Sequence, residues 1–491
     1  MLPETGAGLR ITDQIGSVVD DVTRRVESAG AAVSGALFEP VLRLGVTGLA
    51  RSGKTVFITA LVANLLNRGR MPGLIAAREG AIRAVWLQPQ PDMTVPRFDY
   101  ESHLAALTGD NPRWPASTRA ISELRLSFRV QPRGMIGALS GPRTLHLDIV
   151  DYPGEWLLDL ALMDLDYAAW SADVLARAKA RAGARAGTLP AAAEYLRLAT
   201  GTDGGAMLIE PVAQALARAW CDWLAAAQDA GLADGTPGRF LLPGDLEGSP
   251  VLTFAPLPKP AKPHRNSLWR AMERRYDAYR AQVVRPFFRD HFARIDRQVV
   301  LADVLGAVHA GPAAVEDLRR ALAGVMAAFR PGRIPWLARL LGGRRVERIL
   351  FAATKADHLH HSQHARLTAL LEAMLAEARD RADFAGARTE AMAIAALRAT
   401  VEETRRHDGA MIDLVRGTLT DGRQAAFHPG ALPEDPARIL SPARQGADRW
   451  LDGDYAAMAF APARMTLKPG EGPPHIRLDR AAEFLIGDRL R

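Results

Sequence analysis

From residue 41 onward the chain alternates between short runs in which successive residues are apolar and longer stretches in which apolar residues return every three or four positions. The first kind comprises VLRLGV at 41–46, ELRLSFRV at 123–130, TLHLDIV at 144–150, RQVVLADVL at 297–305, ERILFAATK at 347–355 and EAMAIAAL at 390–397. Neighbouring apolar residues in an extended segment suit a strand covered on both faces, so these six predict the sheet of an α/β fold. The second kind, VFITALVANLL at 56–66 and AAVEDLRRALAGVMAAF at 313–329 among them, predicts helices lying on that sheet.

Between 157 and 296 the strand signal fades. Alanine, leucine and arginine dominate, and the breaks fall at GTDGG (201–205) and PLPKPAKPH (256–264), which predicts a mostly helical inserted domain. A smaller insert occupies about 70–115 and holds RFDYESHLAAL and the proline-flanked PRWPAST. Upstream, Ile11, Ile15, Val18, Val19, Val22, Val26, Val33 and Leu37 form one face of an amphipathic helix within residues 1–40. Its polar face leans acidic, which suits packing on protein rather than on anionic lipid. The tail from 401 to 475 is rich in turn residues, and HIRLDRAAEFLIGDRL (475–490) predicts a closing helix over the sheet. The expected units are therefore 1–40, 41–156, 157–296 and 297–491.

A chain of 491 residues, 48% hydrophobic and 24% charged, is large enough for more than one core. Its single cysteine, Cys221, leaves no internal disulfide to form, and no run of about 18 apolar residues suggests a membrane span. No basic-flanked apolar leader is visible, so a cytoplasmic, unprocessed protein is expected. The net charge of +7 is dispersed, which gives no ground for expecting a nucleic-acid partner.

Chemistry concentrates at strand ends. GLARSGKT (48–55) follows the first strand and opens a helix. Gly48 and Gly53 permit a turn whose amides converge on a phosphate, with Arg51, Ser52 and Val56 contributing to the cradle and the helix N-terminus adding its dipole. Lys54 then reaches the β and γ oxygens, and Thr55 offers a hydroxyl to Mg²⁺. LHLDIVDYPG (145–154) ends in Asp151, placed to hold Mg²⁺ through water, with Gly154 as sensor of the γ-phosphate. ILFAATKADHL ends in Thr354, Lys355, Ala356 and Asp357: an aspartate here accepts hydrogen bonds from N1 and the exocyclic amine of guanine, a donor pair that adenine lacks. A backbone amide of Ala395, Ala396 or Leu397, most simply Ala396, is a candidate for the guanine O6.

GxxxxGKT, DxxG and TKxD in this order resemble the signature of Ras-like GTPases. RLGVTGLARSGKTVF, WPAST, DYPGEWLLDL, FAATKADHLHH and the closing HIRLDRAAEFLIGDRL are similar to the YcjX family of bacterial P-loop proteins, over most of 40–491. The resemblance implies a Ras-like P-loop NTPase sheet with a large helical insertion, reminiscent of the Gα subunits, GTP and GDP as ligands, Mg²⁺ as cofactor, and a link to envelope or phage-shock stress. It names no protein effector; one associated with the membrane is compatible with it.

Two positions depart from the Ras pattern. Glu155 stands where Ras carries its water-orienting glutamine, and a carboxylate beside the γ-phosphate predicts slow intrinsic hydrolysis. The threonine that closes over Mg²⁺ must come from the loop before ELRLSFRV, with Thr118 first and Ser117 second; Arg113 and Arg119 are candidates for a finger in cis. The alternatives are a nucleotide-locked adaptor and a P-loop ATPase. His358, His360, His361 and His364 read as a solvated helix start rather than a metal site, because converging ligands are not visible in sequence. The arginine-rich, aromatic stretch at 265–297 reads as an amphipathic helix of the insertion, not as a stacking surface for nucleic acid.

Overall fold

The computed structural model describes residues 39–491 apart from 50–51, 117–119, 132–140, 184–188, 231–236, 330–345, 381–386, 408, 451–454 and 456–457. The helix expected within 1–40 lies outside these residues but for its last two positions.

Seven strands form one sheet: β1 (Val41–Gly48), β2 (Ile82–Gln88), β3 (Ser122–Val130), β4 (Arg143–Asp151), β5 (Arg297–Ala302), β6 (Arg348–Ala353) and β7 (Arg388–Ala393). Their spatial order is β2-β3-β4-β1-β5-β6-β7. β2 and β3 pair antiparallel with their neighbours, whereas β4, β1, β5, β6 and β7 run parallel. This is the mixed α/β sheet of a P-loop NTPase, extended by one antiparallel edge strand.

Period-two alternation sends the strands' side chains to two cores. Leu44 and Val46 of β1, Leu126 and Phe128 of β3 and Leu301 of β5 face one side, where α1 (Lys54–Leu66) and the closing helix (Leu478–Ile486) cover them. α1 is buried on nearly every side, and its Asn64 amide donates to Ala60 O and to Pro473 O, both at 3.0 Å, tying the C-terminal segment to the helix. Val150, Val300, Ala302 and Phe351 face the other side and join a cluster that runs without interruption into the helices Tyr167–Gly183, Pro190–Gly201, Glu210–Asp229 and Leu268–Tyr279. Trp170, Trp220, Trp223, Tyr195 and Tyr276 fill the space among them, with Trp170 stacked on Tyr276 at 4.9 Å. Those helices thus share a core with the sheet rather than enclosing one of their own.

Two features lie beyond the sequence reading. β2 falls within the segment read as a small insert, and β8 (Thr400–His407), β9 (Ala410–Thr418) and β10 (Gln424–Phe427) build a separate antiparallel sheet where the sequence is rich in turn residues. The strand TVEETRRH is mostly exposed and charged, so neither periodicity nor hydrophobicity announces it. Among the described residues no helix is long and apolar enough to cross a membrane.

Candidate functional site

The parallel strands all end at one edge of the sheet, the edge where open α/β sheets take their ligands. Gly48 closes β1, Asp151 closes β4, Asp303 follows β5, Thr354 follows β6 and Ala395 lies just beyond β7. Register fixes their proximity: Val46 pairs with Asp151, Gly48 with Leu301, and Ala302 with Ala353, which pairs in turn with Ala393.

At the end of β1 the Ser52 amide donates to Leu49 O at 3.1 Å, and Gly53 takes φ 79°, a left-handed value that a side chain would resist. α1 begins at the next residue, so its N-terminal end, with the amides of its first turn, follows directly on the loop. Lys54 Nζ lies 2.8 Å from Asp151 Oδ1, and the two side chains are only 10% and 1% exposed. The contact is an ion pair without hydrogen-bond geometry, and both Asp151 oxygens are buried without a hydrogen-bond partner. Buried carboxylate oxygens in that state are hard donors of the kind a divalent cation such as Mg²⁺ could take, and Thr55, next to Lys54 in the chain, is a buried hydroxyl residue. Arg51, Thr118, Ser117 and Arg119 lie outside the described residues.

The segment after β4 is held tightly from both sides. Tyr152 is buried, and its hydroxyl donates to Gln298 Oε1 at 2.6 Å. The Gly154 amide donates to Gly48 O at 3.3 Å, and a Cβ on Gly154 would stand 2.6 Å from that oxygen. As placed here, then, the amide expected to meet a γ-phosphate is turned to the phosphate loop itself, and sensing requires it to leave that carbonyl. Glu155 is buried and opens the short helix Glu155–Leu158. Gly238 presses on the Glu155 backbone, where a Cβ would come within 2.7 Å of its carbonyl.

Asp159, one turn further, accepts from Tyr279 Oη at 2.5 Å and from the Gly238 amide at 2.8 Å. The Arg239 guanidinium sits 3.4 Å above the Trp156 ring. The helical stretch read as an insertion therefore reaches the residues directly after the DxxG motif, Glu155 and Trp156, through Gly238 and Arg239, which sequence reasoning did not single out; no spacing pattern marks a contact across about 80 positions. Burial pushes the Asp159 carboxyl from an ordinary 3.8 up to about 7, against the hydrogen bonds from Tyr279 and Gly238. A carboxyl whose folded pKa is raised binds its proton more tightly when folded, so its contribution to stability is present at acid pH and is lost as pH rises from about 4 to about 7. Asp159→Asn keeps a neutral hydrogen-bonding group and should flatten that fall, which urea unfolding at a series of pH values measures.

At β6 the residue Lys355 adopts φ 59°, and its Nζ pairs with Asp303, the residue that caps helix Val304–Ala310 by accepting from Gly306 N at 2.9 Å. That pair ties Lys355 to the residue that follows β5. Asp357 is buried; its Oδ2 accepts from the Ala399 amide at 2.8 Å, and its carbonyl accepts from the Thr400 hydroxyl. A carboxylate has about four acceptor directions. Of the three amides considered for the guanine O6, that of Ala395 donates to Ile476 O at 3.1 Å, which leaves Ala396 and Leu397. Trp114 Nε1 donates to Phe460 O at 2.7 Å, and the Phe460 ring meets His358 edge-on at 5.2 Å, so the WPAST loop starts beside the Asp357 loop. Asp303 and Ala399 are the partners that sequence missed; an aspartate directly after a strand was the one available hint.

The model of the YcjX-like family, DUF463, matches residues 42–490. A protein of Escherichia coli (strain K12) named Ras-like GTPase YcjX is 39% identical over 464 residues, 92% of this chain and 96% of that protein. A protein of the same name from Shewanella oneidensis is 36% identical over 472 residues, 91% of this chain and 94% of its own length.

Proposed function

This chain belongs to the YcjX-like family, and on that premise we propose that it is a GTP-binding switch protein that hydrolyses GTP to GDP and phosphate. One observation carries the reading: the nearly buried Lys54–Asp151 pair and the buried Asp357 stand at the same edge of the sheet, where its parallel strands end. In this reading the α1 amides and Lys54 take the β and γ oxygens, and Lys355 and Asp357 take the base. Thr55 and, through water, Asp151 would hold Mg²⁺, with Thr118 as the added hydroxyl; the ion supplies charge neutralisation on the phosphates. The closing of the DxxG segment on the γ-phosphate would release Gly154 from Gly48 and pull on Glu155, and the insertion gripping that segment would carry the change outward.

Single-turnover phosphate release with GTP, and with ATP in parallel, tests the proposal. Release from GTP alone supports it; GTP bound without release makes the protein a nucleotide-locked adaptor, and release from ATP alone makes it an ATPase. We read the output as engagement of a protein effector, with the stress link implied by family resemblance, and place the protein in the cytoplasm. Pulldown in the GTP-analogue and GDP states separates an effector from none.

Glu155 enters as a brake. Its carboxylate is buried near Asp159, and its negative charge repels the γ-phosphate that an amide would tolerate. Glu155→Gln should therefore keep or raise the single-turnover rate; a variant that binds GTP but no longer releases phosphate would make Glu155 the general base instead.

A further inference from the structure

The histidines after Asp357 do not act as one solvated group. His364 is buried and bonds Ala356 O at 2.8 Å, and His358 packs on Phe460, whereas His360 and His361 turn toward the small antiparallel sheet. There Glu402 of β8 brings its carboxylate to them, so that one atom from each of His360, His361 and Glu402 lies within 4.8 Å of the others. Glu402 Oε2 is 2.6 Å from His361 Nδ1 and 3.9 Å from His360 Nε2. Ligand atoms about 2.1 Å from a tetrahedral ion stand about 3.4 Å apart, within that spread.

The surroundings are those of a supported site. His360 is buried and offers Nε2 to the cluster, while its other ring nitrogen lies 3.2 Å from Asp413 Oδ2 of β9 and 2.9 Å from Ser362 Oγ. The Asp413 carboxylate behind Nδ1 favours the tautomer that leaves Nε2 free to ligate, against the Ser362 amide, which donates to Nδ1 at 3.4 Å. Asp413 is itself held by Ser362 at 3.1 Å and Thr404 at 3.0 Å. Arg398 sits 3.3 Å from Glu402 Oε1, which leaves Oε2 to face the histidines.

We propose that His360 Nε2, His361 Nδ1 and Glu402 Oε2 form a site for a borderline divalent transition ion of the Zn²⁺ class. Two imidazoles and one carboxylate select Zn²⁺, Co²⁺ or Ni²⁺ over Mg²⁺, whose preference is for oxygen. Three protein ligands leave a fourth position to water. The site is distinct from the phosphate end of the edge and touches the base end. Glu402 lies shortly after Ala399 and Thr400, the two residues that hold Asp357, and the histidines follow Asp357 directly. An ion here would fasten both strands of that clasp, so it should slow guanine-nucleotide dissociation. Only this coupling rests on the functional reading above; ion binding does not.

The test uses the full chain without an affinity tag, stripped by chelator and dialysed. Zn²⁺ titrated against a chromophoric chelator should bind at one ion per chain, and Co²⁺ should develop the intense visible bands of a four-coordinate N/O site. His361→Ala, at an exposed position that the fold does not need, and Glu402→Gln should each weaken Zn²⁺ at least tenfold, whereas His309→Ala, elsewhere on the surface, should not. Absence of Zn²⁺ binding to wild type, or binding that survives both site substitutions, would overturn the site. Release of a fluorescent GDP analogue should slow with Zn²⁺ in wild type and not in His361→Ala; an unchanged rate overturns the coupling while the titration still decides the site.

Discussion

Lys54→Ala should abolish measurable GTP binding in a protein that still folds. The ammonium is nearly buried, lies at the first position of α1 and is 2.8 Å from Asp151, so it is the cation at the place where the β and γ oxygens would enter. Its removal takes away an attraction worth several kcal/mol in a site that excludes water. It also leaves the Asp151 charge buried and uncompensated, directed at an incoming polyanion. Both effects act against binding, and a loss of about a thousandfold or more is expected, each factor of ten being about 1.4 kcal/mol. The second effect also lowers stability, which is why Lys54→Ala should be paired with Lys54→Ala/Asp151→Asn. The double variant should regain thermal stability without regaining affinity. Calorimetric titration and thermal melting of both proteins read this directly, and wild-type affinity in either would remove the phosphate-loop assignment.

Asp357→Asn should exchange the base preference from guanine to xanthine. In the structure Asp357 Oδ2 accepts the Ala399 amide, so an asparagine will turn its carbonyl to that donor and present its NH₂ on the other side. Guanine meets it with two donors of its own, leaving buried groups unpaired at a cost of about 1 to 3 kcal/mol each. Xanthine carries a carbonyl in place of the amine and restores a match. Affinity for GTP should fall by at least tenfold and affinity for xanthosine triphosphate should rise. Competition binding against ATP, GTP and xanthosine triphosphate measures it; a wild type that prefers ATP, or a variant with an unchanged preference, would remove the guanine reading and leave a generic nucleotide site. Because Asp357 is held by backbone rather than by a charge, the substitution should cost little stability.

What could be read in advance was whatever is written in local order. Strand, glycine turn and helix follow one another within VLRLGVTGLARSGKTVF, so the start of α1 at Lys54 was legible, and each of the six apolar runs became a strand of the sheet. β2 and the charged β8 were not legible, since an edge strand and a solvated strand carry no period that a helix or loop could not also carry. The same division runs through the site. Lys54, Asp151, Thr354, Lys355 and Asp357 were named from motif spacing because each lies within a few residues of a strand end, where chain direction alone fixes its placement. Their partners were beyond reach: Asp303 for Lys355, Ala399 for Asp357, and Gly238 and Tyr279 for the segment after Asp151 come from other parts of the chain.

The histidines make the physical reason plain. Four imidazoles close in sequence gave no ligand geometry, because side chains one to three residues apart in a turn point in different directions. Folding sent His364 into the core and His358 to Phe460, then carried Glu402 and Asp413 to the remaining two. By itself the sequence determined the order of the six apolar strands and the residue types at the sheet edge, since apolar period and turn chemistry are local properties. Only the tertiary structure decided which charges are paired, which amides are spoken for and which carboxylate meets which histidine, since those depend on contacts between segments whose separation along the chain carries no record of their meeting.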